Sequence, residues 1–232
     1  MKLDKNTISY IQTVVETAKL VGIDSLIIEP NLVRAIDDNN TVVINQNKEV
    51  PEMPFGSIGM NRLDIFTARY DIAKTQDGFT IEAEVDDGSQ FVRAIIMKAK
   101  GMKIDYRCAN PMAIKAPKQV NDVLKYRVVL TTEAVVNLQK AQSAMKAEIV
   151  TIISDGGVSF ELADLNNDVF KYTFADKVEV LTDGNGKFVH RYPVKTLLPL
   201  FKQNATGHFE IGAKGIAAFQ LNGLKVFVLP QV

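Results

Sequence analysis

Cysteine and histidine are nearly missing from this sequence: among 232 residues there are one cysteine, Cys108, and two histidines, His190 and His208. A lone cysteine excludes an internal disulfide. Together with an opening Met1-Lys2-Leu3-Asp4 and no apolar signal region behind it, this predicts a cytoplasmic protein. No apolar run approaches the ~20 residues of a membrane span, so no membrane partner is expected. Charge of either sign is not in excess, with 27 Lys plus Arg against 27 Asp plus Glu. That balance excludes the broad basic field of a free-standing duplex binder and leaves any nucleic-acid contact to local placement.

The same scarcity argues against catalysis. Beyond the carboxylates, only Cys108, His190 and His208 could titrate or coordinate usefully, and they form no triad pattern. There is no phosphate-loop motif, and the dinucleotide-type start at Gly184 and Gly186 meets Val189 where the third glycine belongs. Asp183-Gly184-Asn185-Gly186 resembles a calcium loop, but Lys187 occupies the third ligand position and Val194 the place of the closing glutamate. Asp86-Asp87-Gly88 reads as a hairpin turn rather than paired catalytic acids. The expectation is no enzyme, no catalytic residues, no cofactor and no metal.

What the chain does have is a 47% hydrophobic composition, enough for a sizeable core in one large domain or in two of about 110 residues. Helical periodicity runs from Asp4 to Val21, through Ile8, Ile11, Val15 and Ala18, and again from Thr131 to Lys146, through Val135, Leu138, Ala141 and Met145. Each is followed by short alternating strands punctuated by matching turns: Glu29-Pro30-Asn31 with Asp155-Gly156-Gly157, then Asn39-Asn40 with Asn166-Asn167. A second, shorter helix follows in each half, around Leu63, Phe66 and Tyr70 and around Val194, Leu197, Leu198 and Phe201. Further turns come at Asp77-Gly78 and Asp87-Gly88, matched by Lys214-Gly215 and Asn222-Gly223. The offset grows from about 127 to about 135 residues, with the extra residues near 177–190, which is a tandem duplication. Pro199 within the fourth helical pattern requires either a later helix start or a kink. Residues 109–125, containing Pro111 and Pro117 and no clean periodicity, read as the connector between domains 1–108 and 126–232.

Two copies of helix, strands, helix, strands joined by a proline-containing crossover resemble the sliding DNA clamp family. The opening Met1-Lys2-Leu3, the helix from Asp4 and the segment Asn61 to Val85 are most similar to the clamps of T4-like bacteriophages, and Tyr192 to Pro230 to the C-terminal domain of PCNA. The resemblance spans nearly the whole chain in order of elements and rests on no short diagnostic motif. It implies an α+β clamp fold of two duplicated domains, each with two helices packed on antiparallel sheets. It further implies a homotrimeric ring around double-stranded DNA, a processivity factor partnered by a replicative DNA polymerase and an ATP-dependent clamp loader, and coupling to late transcription machinery. For a viral protein the compartment would be the host-cell cytoplasm.

Helices lining a DNA channel should carry cations although the chain is neutral overall. The candidates are Lys5 and Lys19, Arg62 and Arg69, Lys140 and Lys146, and Lys195 and Lys202, one pair per helix; Glu16 and Asp64 offset the first domain's share. The competing reading of each is solvation of an amphipathic helix's polar face. For partner tails the resemblance points to Met112 and Ile114 on the connector and to Leu229 and Pro230 near the last strand, against ordinary packing there. Three other readings stay open: a monomeric, open DNA-binding processivity factor, a structural virion protein of duplicated β-rich domains, and a hydrolase with an unrecognised site.

Overall fold

The computed structural model describes residues 1–46, 55–85, 88, 90–117, 120–154, 157–174, 176–182 and 187–231. The turns at Asp155-Gly156 and Asp86-Asp87 and the stretch Asp183–Gly186 lie outside them. The chain divides into two compact units. Unit 1 holds Met1–Asp38, Val43–Lys118 and Asn222–Leu224, and unit 2 holds Asn39–Val42, Gln119–Leu221 and Lys225–Val232. The main division thus falls inside 109–125.

Unit 1 begins with α1 (Lys5–Leu20), which starts where the Asp4 carboxylate accepts the Thr7 amide at 2.8 Å. Thr7, Ile11, Val14, Val15 and Ala18 recur every three or four residues and are buried. The helix stops in a Schellman motif: Ile23 N–H donates to Ala18 and Gly22 N–H to Lys19, with Gly22 at φ +75°, where a side chain would be strained. Strands β1 (Ser25–Glu29), β2 (Leu32–Ile36), β3 (Val42–Gln46) and β4 (Ile58–Asn61) follow, paired antiparallel in the order β4-β1-β2-β3. Helix α2 (Leu63–Lys74) then leads into β5 (Thr80–Val85), β6 (Val92–Ala99) and β7 (Met102–Arg107), an antiparallel meander. The outer edge of β5 is covered by the first residues of the chain, since Leu3 N–H donates to Ile81 and Ala83 N–H to Met1.

Unit 2 repeats this plan. After a short 3₁₀ turn (Pro111–Ala113) and β8 (Leu124–Val129) comes α3 (Thr132–Met145), capped by Thr131 Oγ1 accepting from Ala134 N–H at 3.1 Å. Strands β9 (Ile149–Ser154), β10 (Val158–Ala163), β11 (Val169–Thr173) and β13 (Phe188–Pro193) pair in the order β13-β9-β10-β11, the same permutation as in unit 1. The small extra strand β12 (Val178–Val180) falls where the repeat offset grows, and it pairs with β8. Helix α4 (Val194–Gln203) precedes β14 (His208–Gly212), β15 (Ala217–Leu221) and β16 (Leu224–Val228). Equivalent turns share backbone geometry: Asn40 and Asn167 both stand at positive φ, 57° and 65°. Helix α4 starts directly at Val194, so Pro199 lies within it; lacking an N–H, Pro199 leaves the Lys195 carbonyl without its helical donor.

The cores differ in filling. Unit 1 packs Val14, Leu26, Ile28, Ile58 and Ile95 at or near complete burial, with Phe66 and Tyr106 edge to face at 5.2 Å. In unit 2 Phe160, Phe174, Phe201, Phe209 and Phe219 form one aromatic cluster with neighbouring centroids 4.7 to 5.8 Å apart.

Candidate nucleic-acid interface and strand edges

On α1, Lys5 is exposed in the first turn. Lys19, in the last turn, makes a 2.7 Å ion pair with Asp64 of α2, which ties the two helices of unit 1 together. Glu16 shares the stripe of Lys5 and Lys19 and accepts from Gln12 at 2.9 Å. Arg62 is the N-cap of α2, in the left-handed region at φ 56° and without a side-chain cap bond. Its guanidinium lies 5.9 Å from the centre of the Tyr106 ring and donates to the Arg107 carbonyl at 3.1 Å. Arg69, half-buried, donates to the Asp105 carbonyl at 2.7 Å.

Unit 2 presents its cations differently. Lys140 on α3, Lys146 at its left-handed C-cap, and Lys195 and Lys202 on α4 are all exposed, and among the described residues none of them is in an ion pair. Lys195 and Lys202 stand seven residues apart, on one face, and α4 contains no acidic residue. They line an open cleft of about 530 Å³ together with Leu198, Pro199, Gln142 and Glu148. The structure therefore brings Lys195 and Lys202 together, whereas Lys19, Arg62 and Arg69 are bound within unit 1.

Two strand edges were not anticipated from sequence. In an antiparallel ladder a residue's N–H and C=O point the same way, and the direction alternates along the strand. Cys108 N–H donates to Arg93, so Tyr106 and Ile104 face β6, and Lys103, Asp105 and Arg107 direct their backbone groups outward. Likewise Phe174 N–H donates to Val158, so Val169, Lys171 and Thr173 of β11 point away from β10. Among the described residues of unit 1, β7 pairs with β6 alone; in unit 2, β11 pairs with β10 alone. Val169 is 59% exposed and the adjoining Leu165 fully so. The alternation Val169-Phe170-Lys171-Tyr172-Thr173 was the available signal, a strand with a wet face, but it does not reveal which edge stays open.

No protein-family model matches the chain, and no curated protein matches it in sequence. Solved structures do match. The proliferating cell nuclear antigen of Entamoeba histolytica has a TM-score of 0.62 at 14% identity, covering 97% of this chain and 96% of that one. The PCNA of A. fulgidus, in a structure with the C-terminal region of FEN-1 bound, has a TM-score of 0.60 at 19% identity with the same coverage. The chain has the PCNA-type sliding-clamp fold. At these identities the likeness is one of fold.

Ala109, the first residue of the stretch read from sequence as the connector, bridges Gly59; a Cβ at Gly59 would stand 2.4 Å from the Ala109 oxygen. The Asn110 side chain caps the 3₁₀ turn by accepting from Met112 N–H at 2.9 Å. That turn leaves Met112 94% exposed and directs Ile114 inward to 9% exposure, so Ile114 is packed and Met112, like Val123 further along, is an exposed apolar side chain. Leu229 and Pro230, in unit 2, are half-buried. Asp122, missed by sequence reasoning, anchors the far end of the connector: its carboxylate accepts from the Lys214 and Ile216 amides at 3.1 Å. Beside it, His190 stacks on Phe188 at 5.0 Å and packs against Gly215, where a Cβ would meet the ring at 2.5 Å. Burial lowers the His190 pKa below its ordinary value. Burial also pushes the Cys108 thiol up to about 12, which keeps it a protonated, poor nucleophile. Among the described residues no group of three or more His, Cys, Asp or Glu side chains could hold a metal ion, and no helix is long and apolar enough to cross a membrane.

Proposed function

We propose that the protein is a non-enzymatic sliding clamp, a processivity factor that closes as a homotrimer around double-stranded DNA and tethers a replicative DNA polymerase. The observation that carries this reading is the pair of open strand edges, β7 in unit 1 and β11 in unit 2. Edges of this kind invite further pairing, and a head-to-tail contact between unlike edges closes into a ring without leaving one free. Charge selects the register. Antiparallel pairing with Asp105 opposite Lys171 of the next copy also sets Arg107 against Val169 and Lys103 against Thr173. A shift of two residues either way puts Lys171 opposite Lys103 or Arg107, a like-charge pair.

DNA contact falls to the exposed lysines Lys5, Lys140, Lys146, Lys195 and Lys202. On a chain of zero net charge they give weak, salt-sensitive, sequence-independent attraction, so retention comes from encirclement. Met112 in unit 1, and separately Leu229 and Pro230 in unit 2, are the proposed apolar contacts for partner tails, those of the polymerase and an ATP-dependent loader among them. Late transcription machinery, the phage affinity and residence in the host-cell cytoplasm come from the resemblance in sequence alone.

Light scattering over a range of concentration tests the ring. Three chains of 25.7 kDa give about 77 kDa. Asp105→Lys is expected to weaken the trimer a few-fold, as cross-strand pairs contribute about 0.2 to 1 kcal/mol. Combining it with Lys171→Asp should restore assembly. A chain that stays monomeric at every concentration would instead support the open processivity factor.

A further inference from the structure

The two arginines of α2 hold the backbone oxygens that an added strand would use. Asp105 and Arg107 direct their carbonyls away from β6, and these same oxygens accept from Arg69 at 2.7 Å and from Arg62 at 3.1 Å. In the register that pairs Asp105 with Lys171, the strand N–H of Lys171 would go to the Asp105 carbonyl and that of Val169 to the Arg107 carbonyl. We propose that Arg62 and Arg69 are an exchangeable cap on the β7 edge, displaced by β11 of a second copy, so that they control ring assembly and opening instead of contacting DNA.

Several features suit them to this. A guanidinium bond to a carbonyl is charge-assisted, stronger than a neutral bond but reversible at a solvent-exposed edge. Arg62 is held over the edge by the Tyr106 ring at 5.9 Å and by Asn61 Oδ1 at 3.4 Å. Its backbone is in the left-handed region, where arginine is strained and glycine is not. Tyr106 in turn is fully buried and donates its hydroxyl to the Asn61 carbonyl, so the residue before Arg62 is fixed to β7. The cap satisfies carbonyls only: among the described residues, the outward N–H groups of Asp105 and Arg107 have no strand partner within unit 1, which leaves the edge half-dressed and receptive.

The proposal rests on the ring reading, and its test separates the two. The full chain carrying Arg62→Gly, which suits the positive φ, and Arg69→Ala, which suits the helix, is compared with the unaltered chain by sedimentation across concentration. A peptide of residues 166–174, containing β11, serves as a probe of the edge that does not require a ring. Removing the cap should lower the concentration at which the trimer dissociates by on the order of tenfold and tighten peptide binding comparably. Tighter peptide binding by the variant when neither chain trimerises would uphold the cap and sink the ring. A trimer with unchanged or weaker assembly in the variant would sink the cap and leave the ring, because the arginines then share the carbonyls or support the interface. Unchanged assembly with weakened affinity for linear duplex DNA would return the arginines to the DNA channel and also overturn the cap.

Discussion

The two units have one plan and treat their helix cations differently, although Lys5 of unit 1 is exposed like the lysines of unit 2. In unit 1, Lys19 is paired with Asp64, and Arg62 and Arg69 are bound to β7 carbonyls. In unit 2, Lys140, Lys146, Lys195 and Lys202 face solvent. The residue types are alike; the neighbours are not. Helix α2 contains Asp64 and Asp71 and lies against an open strand edge, whereas α4 has no carboxylate, so its lysines keep their field. A duplicated fold can in this way separate a half whose cations hold structure from a half whose cations are available to a polyanion.

The cores offer the largest way to break that comparison. Phe160 touches Phe174, Phe201 and Phe209, so Phe160→Ala should cost about 3 to 5 kcal/mol and shift chemical denaturation of unit 2 strongly. A smaller probe in unit 1, Ile28→Val, should cost only about 0.5 to 1.5 kcal/mol, because one methylene leaves an aliphatic core. Equal losses would mean that unit 2 collapses around the missing ring and that the aromatic cluster is not rigidly packed.

Next in size is the cation contrast itself. Lys195→Glu with Lys202→Glu is expected to lower the direct affinity for linear duplex DNA about tenfold or more at low salt and to flatten its salt dependence. Lys19→Gln should change that affinity little, while loosening the contact of α1 with α2 by under about 1 kcal/mol. Equal effects of the two changes, measured by affinity against salt, would erase the distinction between the units.

The smallest effect is a titration confined to unit 2. The His190 pKa lies below its ordinary 6.5, first because burial disfavours the imidazolium. The folded state then binds this proton less readily than the unfolded state. Stability is therefore full above pH about 6.5 and declines as pH falls toward the folded pKa. Asp4 and Glu82, held low by the Thr7 amide and by Lys98, titrate at more acidic pH. Thermal midpoints of the unaltered chain should fall as pH drops below about 6.5, and His190→Gln should flatten that slope. An identical slope in both proteins would remove His190 as its source.

Much of the fold was legible because its signals are local. Asp4 and Thr131 cap helices at the expected positions, apolar stripes at helical spacing mark the buried faces, and Asn40 and Asn167 take the same left-handed turn in each copy. That the order β4-β1-β2-β3 recurs as β13-β9-β10-β11 follows from the duplication, whereas the order itself came from the structure. The candidate site was legible only in part. Sequence identifies a lysine or an arginine but not the acceptor it meets. Asp64 beside Lys19 and the Asp105 carbonyl beside Arg69 are distant in the chain and adjacent in space. Ile114 and Met112 are two residues apart on the connector, yet a single 3₁₀ turn buries one and exposes the other.

By itself, then, the sequence determined the elements, their duplication and the neutral overall charge, since periodicity, capping and composition act over a few residues at a time. Tertiary structure alone decided which cations stay available, which strand edges remain open and which connector residue faces outward. Those outcomes depend on long-range pairing, where one carbonyl or carboxylate brought within about 3 Å consumes a charge that composition counts as free.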